Sequence, residues 1–146
     1  ISTARVVRLF GFDPKVAFVS HSTFGQPLTS RTKHIRNAVD ILKEKKVDFE
    51  FDGDMQPDVA LNPEYEELYP FAKIVGKANI LIMPGQHSAA ISYKLMKTIG
   101  DTKVIGPLLI GLGLPIEIAP LRSSTSEILN LASIAAYSSV VIDYKK

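Results

Sequence analysis

The chain has 146 residues, 46% of them hydrophobic and 22% charged, with a formal net charge of +2 and no cysteine. A chain of this length buries roughly two-thirds of its unfolded surface, enough for one compact domain. The balance of charge argues against a polyanion-binding surface and against a disordered acidic tail. The missing thiols exclude disulfides, thiolate metal sites and cysteine nucleophiles, and fit a reducing, cytoplasmic compartment. Apolar stretches are interrupted within about ten residues, short of the ~20 a membrane span needs, and nothing at the N-terminus reads as a signal peptide. Because the chain opens on Ile1 rather than Met, the expectation is a processed protein or an excised piece of something longer.

In chain order, the first ~14 residues carry a loosely periodic set, Ala4, Val7 and Leu9, compatible with a helix. Lys15-Val-Ala-Phe-Val-Ser20 reads as a buried parallel strand, feeding the loop His21-Ser-Thr-Phe-Gly-Gln-Pro27. Thr29 or Ser30 can cap a helix whose Ile35, Ala38, Val39 and Leu42 share one face. Phe49-Glu-Phe51 alternates as a strand that Asp52-Gly-Asp54 is expected to end by turn chemistry. Asp58 to Leu61 predicts one helical turn, and Asn62-Pro63 an N-cap with a first-turn proline for Glu64 to Tyr69.

Ala78-Asn-Ile-Leu-Ile-Met83 is the clearest strand signal and stops at Pro84-Gly85. Ser88 is the expected cap of a helix through Ile91, Leu95 and Ile99, closed by Gly100. Lys103–Ile105, Leu108–Ile110 and Pro115–Ile118 predict short strands. Ser124 and Glu127 have capping-box spacing ahead of a final helix over 125–139 that is apolar around most of its circumference. Alternating strands and helices predict a three-layer α/β/α fold with a mainly parallel sheet, whose ligands sit at the carboxyl ends of strands.

Three groups of residues could carry chemistry. Ser20-His-Ser-Thr-Phe-Gly25 offers hydroxyls and a glycine between strand and helix, where backbone N–H groups and the helix dipole favour an anion. Pro84-Gly-Gln-His-Ser88 places His87 at a second helix N-terminus, as a phosphate ligand, an acid–base group or a solvated side chain. Arg31, Lys33, His34 and Arg36, with Lys94 further on, form either a solvated helix face or a guide for a polyphosphate ligand such as coenzyme A. The three histidines lack metal-ligand spacing, so no metal is expected in this domain. Few aromatics and no binding motif argue against nucleic acid.

Val16-Ala-Phe-Val-Ser-His-Ser-Thr-Phe-Gly25, Phe51-Asp-Gly-Asp-Met-Gln-Pro-Asp-Val-Ala-Leu-Asn62, Ala78-Asn-Ile-Leu-Ile-Met-Pro84, Ser92-Tyr-Lys-Leu95 and Ile105-Gly-Pro-Leu-Leu-Ile-Gly-Leu-Gly113 resemble, in order and spacing, the phosphate acetyl/butyryltransferase family. Leu9-Phe-Gly-Phe-Asp-Pro14, Ser22-Thr-Phe-Gly25, Ala60-Leu-Asn-Pro-Glu64 and Tyr69-Pro-Phe71 are similar to the C-terminal domain fused to large bacterial NADP-dependent malic enzymes, where free-standing transacetylases usually read differently. The resemblance implies the isocitrate/isopropylmalate dehydrogenase-like lobe of the phosphotransacetylase fold. It also implies a parent polypeptide that decarboxylates malate to pyruvate with NADP and a divalent cation, Mg or Mn, held outside this domain.

The family's catalysis implies a Ser-Arg pair after the last strand and an Asp in the following helix; aligned without gaps from Pro115, those positions hold Pro120, Leu121 and Glu127. The resemblance therefore implies an acetyl-CoA-sensing regulatory and oligomerisation domain. Its expected ligand contacts are Ser20, Ser22, Thr23, Gly25, Lys94, Gly106 and Arg122. A working phosphate acetyltransferase using Ser123 or Ser124, and a ligand-free dimerisation module, are the alternatives. The apolar last helix predicts packing toward a missing lobe or a neighbouring chain, hence a homodimer or higher oligomer.

Overall fold

A computed structural model describes residues 1–100 and 103–141. Its elements run α1 (Ser2–Leu9), β1 (Lys15–Val19), α2 (Ser30–Glu44), β2 (Glu50–Met55), α3 (Pro57–Leu61), a 3-10 turn (Pro63–Glu66), β3 (Ile80–Ile82), α4 (Gln86–Ile99) and α5 (Thr125–Val141). One compact unit holds Thr3–Tyr93, and a second holds the described residues from Lys94 onward.

The first unit is built on a parallel sheet of order β2-β1-β3, with Val16 opposite both Phe51 and Ile80. Successive residues of a strand point to opposite faces. Val16 and Ile80 are accordingly buried against Ala4 of α1, with Val7, Phe18, Phe51 and Ile82 packed around them. Ala17 faces the other way and joins Met55, Ala60 of α3, Ile74 and Ala78, with Phe24 and Leu81 alongside. Helices thus cover both faces of a parallel sheet, the α/β architecture expected from the strand–helix alternation. α2 contributes Val39 and Leu42 to the buried set, and its start is closed by Thr29, as expected.

Several expectations are corrected. β2 does not end at Phe51 but continues through Asp52-Gly-Asp54 to Met55. Asp52 does not open a turn. Its oxygens accept from the amides of Gly53 and Lys73, at 2.9 and 2.8 Å. Gly53 has φ +151° and lies so close to β1 that a Cβ would stand 2.7 Å from the Cβ and carbonyl oxygen of Phe18. The register shifts between Phe18 and Val19 beside it.

α4 begins at Gln86, two residues before Ser88, whose hydroxyl donates back to the Gly85 carbonyl at 2.8 Å. The run expected as a helix from Glu64 to Tyr69 is a single 3-10 turn, with Asn62 Oδ1 accepting from Glu64 N as its cap. Lys103–Ile105, Leu108–Ile110 and Pro115–Ile118 are irregular rather than strands. Pro107 and Pro115 remove ladder donors, and Gly106 and Gly111 adopt φ +129° and +82°, so a continuous pleat is not available there.

In the second unit, Leu131 is the buried residue of α5, while Ile128, Leu129, Tyr137, Val140 and Val141 are exposed. No helix among the described residues is long and apolar enough to cross a membrane.

Candidate functional site

The loop after β1 is fastened to the carboxyl end of β2. Ser20 N donates to Met55 O at 2.8 Å, Phe24 N to Asp54 O at 2.6 Å, and Gln56 N to Thr23 Oγ1 at 3.2 Å. Thr23 and Gln26 exchange both backbone hydrogen bonds at 3.1 Å, folding the loop into a tight turn. Phe24 and Gly25 at its tip have φ +48° and +87°. Gly25 lies against the Arg36 guanidinium, into which a Cβ would run. Of the basic cluster on α2, this is the cation brought to the loop.

Beneath the loop lies a buried polar chain. Ser22 and Asp54 are 0% exposed and Ser20 is 5% exposed. Ser22 Oγ donates to Asp54 Oδ2. The Ser20 and Ser22 hydroxyl oxygens are 3.1 Å apart, and Ser22 N donates to Ser20 Oγ at 3.3 Å. Asp54 Oδ1 is buried without a hydrogen-bond partner among the described residues. Ser20 and Ser22, expected as ligand contacts, therefore turn toward a carboxylate that the turn reading of Asp52-Gly-Asp54 missed. The signal was present: Asp52 and Asp54 alternate in step with Glu50, as one face of a strand would.

The N-terminus of α2 is largely occupied by its own side chains. Thr32 N donates to Thr29 Oγ1 at 3.2 Å and Thr29 N to Thr32 Oγ1 at 2.8 Å. That capping box consumes amides an anion would otherwise use. The Phe24 ring packs 5.4 Å from Tyr69 and 4.9 Å from Phe71, so two of the malic-enzyme-like stretches meet in space.

The second unit holds the other expected residues. Gly106, Pro120, Ser123 and Glu127 line one small recess together with Ile105 and Leu131. Ser123 N donates to Pro120 O at 3.0 Å, closing a turn that carries Leu121 and Arg122 exposed at its tip. Lys94 is exposed there, and His21, His34 and His87 are exposed in the first unit. Glu127 is fully engaged: Oε1 meets Lys97 Nζ at 2.7 Å, while Oε2 accepts from Ser124 N at 2.7 Å and Ser124 Oγ at 3.0 Å. The Lys97 hydrogen bond, followed by those from Ser124, lowers the Glu127 pKa to about 2. At neutral pH such a carboxyl has no proton to donate and is a feeble base. Among the described residues no three His, Asp or Glu side chains gather as a metal site.

The model of the phosphate acetyl/butaryl transferase family matches residues 1–136. The chain belongs to that family. An NADP-dependent malic enzyme of Rhizobium meliloti (strain 1021) is 47% identical over 134 residues, covering 92% of this chain and 18% of the relative. A phosphate acetyltransferase of Bacillus subtilis (strain 168) is 33% identical over 137 residues, covering 93% of this chain and 42% of the relative. In structure, a phosphotransacetylase from Streptococcus pyogenes matches with TM-score 0.88 and 33% identity over 95% of this chain and 43% of its own. The chain thus spans about a fifth of its malic-enzyme relatives and under half of the transacetylases. Within the phosphate acetyl/butaryl transferase family it is similar both to transacetylases and to the transacetylase-like portion of malic enzymes.

Proposed function

We propose that this chain is the acyl-CoA-sensing regulatory and oligomerisation domain of a longer NADP-dependent malic enzyme, and that it does not transfer the acyl group. The state of Glu127 carries this reading. Its two oxygens are taken up by Lys97 on one side and by the cap of α5 on the other, which leaves neither directed to a substrate's proton. The turn before it presents Pro120 and Leu121, neither of which brings a hydroxyl or a cation. A charge-assisted hydrogen bond to a phosphate or thioester contributes about 1.5–3 kcal/mol, so a site without that pair forfeits most transition-state stabilisation.

Acetyl-CoA or a related acyl-CoA is the proposed effector. Thr23, Gly25 and Arg36 offer contacts for it at the loop after β1. NADP, the divalent cation and malate belong to the remainder of the longer polypeptide, and effector binding here would couple to that remote site by ~1–3 kcal/mol. The exposed apolar residues of α5 support association with a second copy or with further chain of the same polypeptide.

One observation favours a working transferase instead: Ser123, next to Arg122, lines the recess that holds Glu127. Acetyl phosphate formation from acetyl-CoA and phosphate separates the two readings, because turnover at ordinary enzyme rates would displace the regulatory one. Calorimetry with acetyl-CoA tests ligand sensing itself. Micromolar binding supports it, and silence leaves a dimerisation module.

A further inference from the structure

Phe24, Tyr69 and Phe71 come from two segments distant in sequence, and their rings meet at centroid distances of 4.9 to 6.2 Å. Such contacts fix the rings against one another. They do not close into a core, because Phe71 and the neighbouring Leu68 are 63% and 66% exposed. Phe24 is pinned from below, its N–H donating to Asp54 O at 2.6 Å with φ at +48°. The result is an ordered aromatic face open to solvent, which loses little conformational entropy when something covers it. Phe, Tyr and Arg are the residue types that gather at the centres of protein interfaces.

Charge is laid out unevenly around this face. Arg36 lies against Gly25, next to Phe24, and Lys73 follows Phe71 by two residues. Asp40, whose pKa is lowered first by its hydrogen bond to Lys43, also feels both of these cations. Glu67 precedes Tyr69 by two residues and is exposed, as is Arg36. Neither Arg36 nor Glu67 makes a salt bridge among the described residues.

We propose that this face joins two copies of the chain about a two-fold axis, so that Arg36 of each copy meets Glu67 of the other beside the paired aromatic rings. A two-fold axis places residue i against j and j against i, so a face carrying one cation and one anion is complementary to itself. Any other partner would have to supply both matching charges. The formal net charge of +2 sets little repulsion between identical chains. The proposal rests on the reading of this chain as an oligomerisation domain and gives it a face that does not involve α5.

Charge reversal and mixing test it, with Leu129→Glu present in every chain so that the exposed surface of α5 contributes no association. A dimer of Arg36→Glu sets two carboxylates against each other at both contacts, and a dimer of Glu67→Arg sets two cations. By sedimentation equilibrium at low salt, each should self-associate about tenfold more weakly than the Leu129→Glu chain. An equimolar mixture of the two puts an acid opposite a base at both contacts, and should form a heterodimer with the affinity of the Leu129→Glu chain. At about 1 M salt, where the screening length is ~3 Å, these differences should vanish. Phe71→Ser removes apolar area and should weaken association at every salt concentration with unchanged circular dichroism.

A mixture that associates no more tightly than its components overturns the proposal. So does a Leu129→Glu chain that is monomeric while the parent chain is not, which assigns association to α5 and leaves the oligomerisation reading standing. A parent chain that is itself monomeric removes both, and leaves the aromatic face to further chain of the longer polypeptide.

Discussion

Lys97 and Glu127 form an ion pair at 2.7 Å that joins α4 to the first turn of α5. The same carboxylate closes the capping box with Ser124, so one side chain fixes both the start of a helix and its neighbour. The helix cap and the ion pair together account for the glutamate at this position.

It has a pH signature. The Glu127 pKa is lowered from 4.5 to about 2 in the folded chain, so its contribution to stability is present above about pH 4.5 and is lost as pH falls toward 2. Asp48, lowered by its hydrogen bond to Arg8, and Asp40, lowered by its hydrogen bond to Lys43, act in the same direction. Thermal melts from pH 6 to pH 2.5 should therefore fall less steeply for Glu127→Gln than for the parent chain. Identical slopes would show that the carboxylate contributes nothing.

The helix caps are separable. Thr29→Ala removes the acceptor for Thr32 N, and Ser124→Ala the acceptor for Glu127 N, each costing about 1 kcal/mol in urea unfolding.

Gly53 and Gly25 should differ in tolerance. At Gly25 the obstruction is the mobile end of Arg36, so Gly25→Ala bears mainly the positive φ, about 1–2 kcal/mol, and Arg36→Ala should not relieve it. At Gly53 the obstruction is the backbone and Cβ of Phe18, which cannot swing aside, and Gly53→Ala should cost ~3 kcal/mol. Urea midpoints compare the two, and equal losses would contradict the packing described here.

The isolated chain should form no acetyl phosphate from acetyl-CoA and phosphate at enzymatic rates. Replacing Glu127 by Asp should not create activity, because Lys97 and Ser124 remain to engage the carboxyl. A coupled spectrophotometric assay reads both.

Light scattering should report a dimer or larger assembly. Leu129→Glu places a charge on the exposed apolar surface of α5 and should shift the mass toward monomer without lowering helix content. A parent chain that is already a monodisperse monomer would exclude self-association.

The strands β1 and β3, the amphipathic α2 and the capping box of α5 were legible in the sequence because each is specified locally: period-2 or period-3.6 hydrophobicity, or a Ser-x-x-Glu spacing, needs no distant partner. The family resemblance was legible for the same reason, as blocks in order. Local chemistry failed where long-range packing decides. Asp52-Gly-Asp54 carries turn residues, yet it pairs with β1 because Gly53 admits the close approach of Phe18 and because the buried aspartates meet Lys73 N and Ser22. Conversely, the apolar pieces between Lys103 and Ile118 have strand composition but no ladder, since their prolines and positive-φ glycines interrupt the pleat. Whether Ser20 and Ser22 look outward to a ligand or inward to Asp54 was likewise beyond any spacing argument. A hydroxyl's direction depends on which charge the tertiary fold buries beside it.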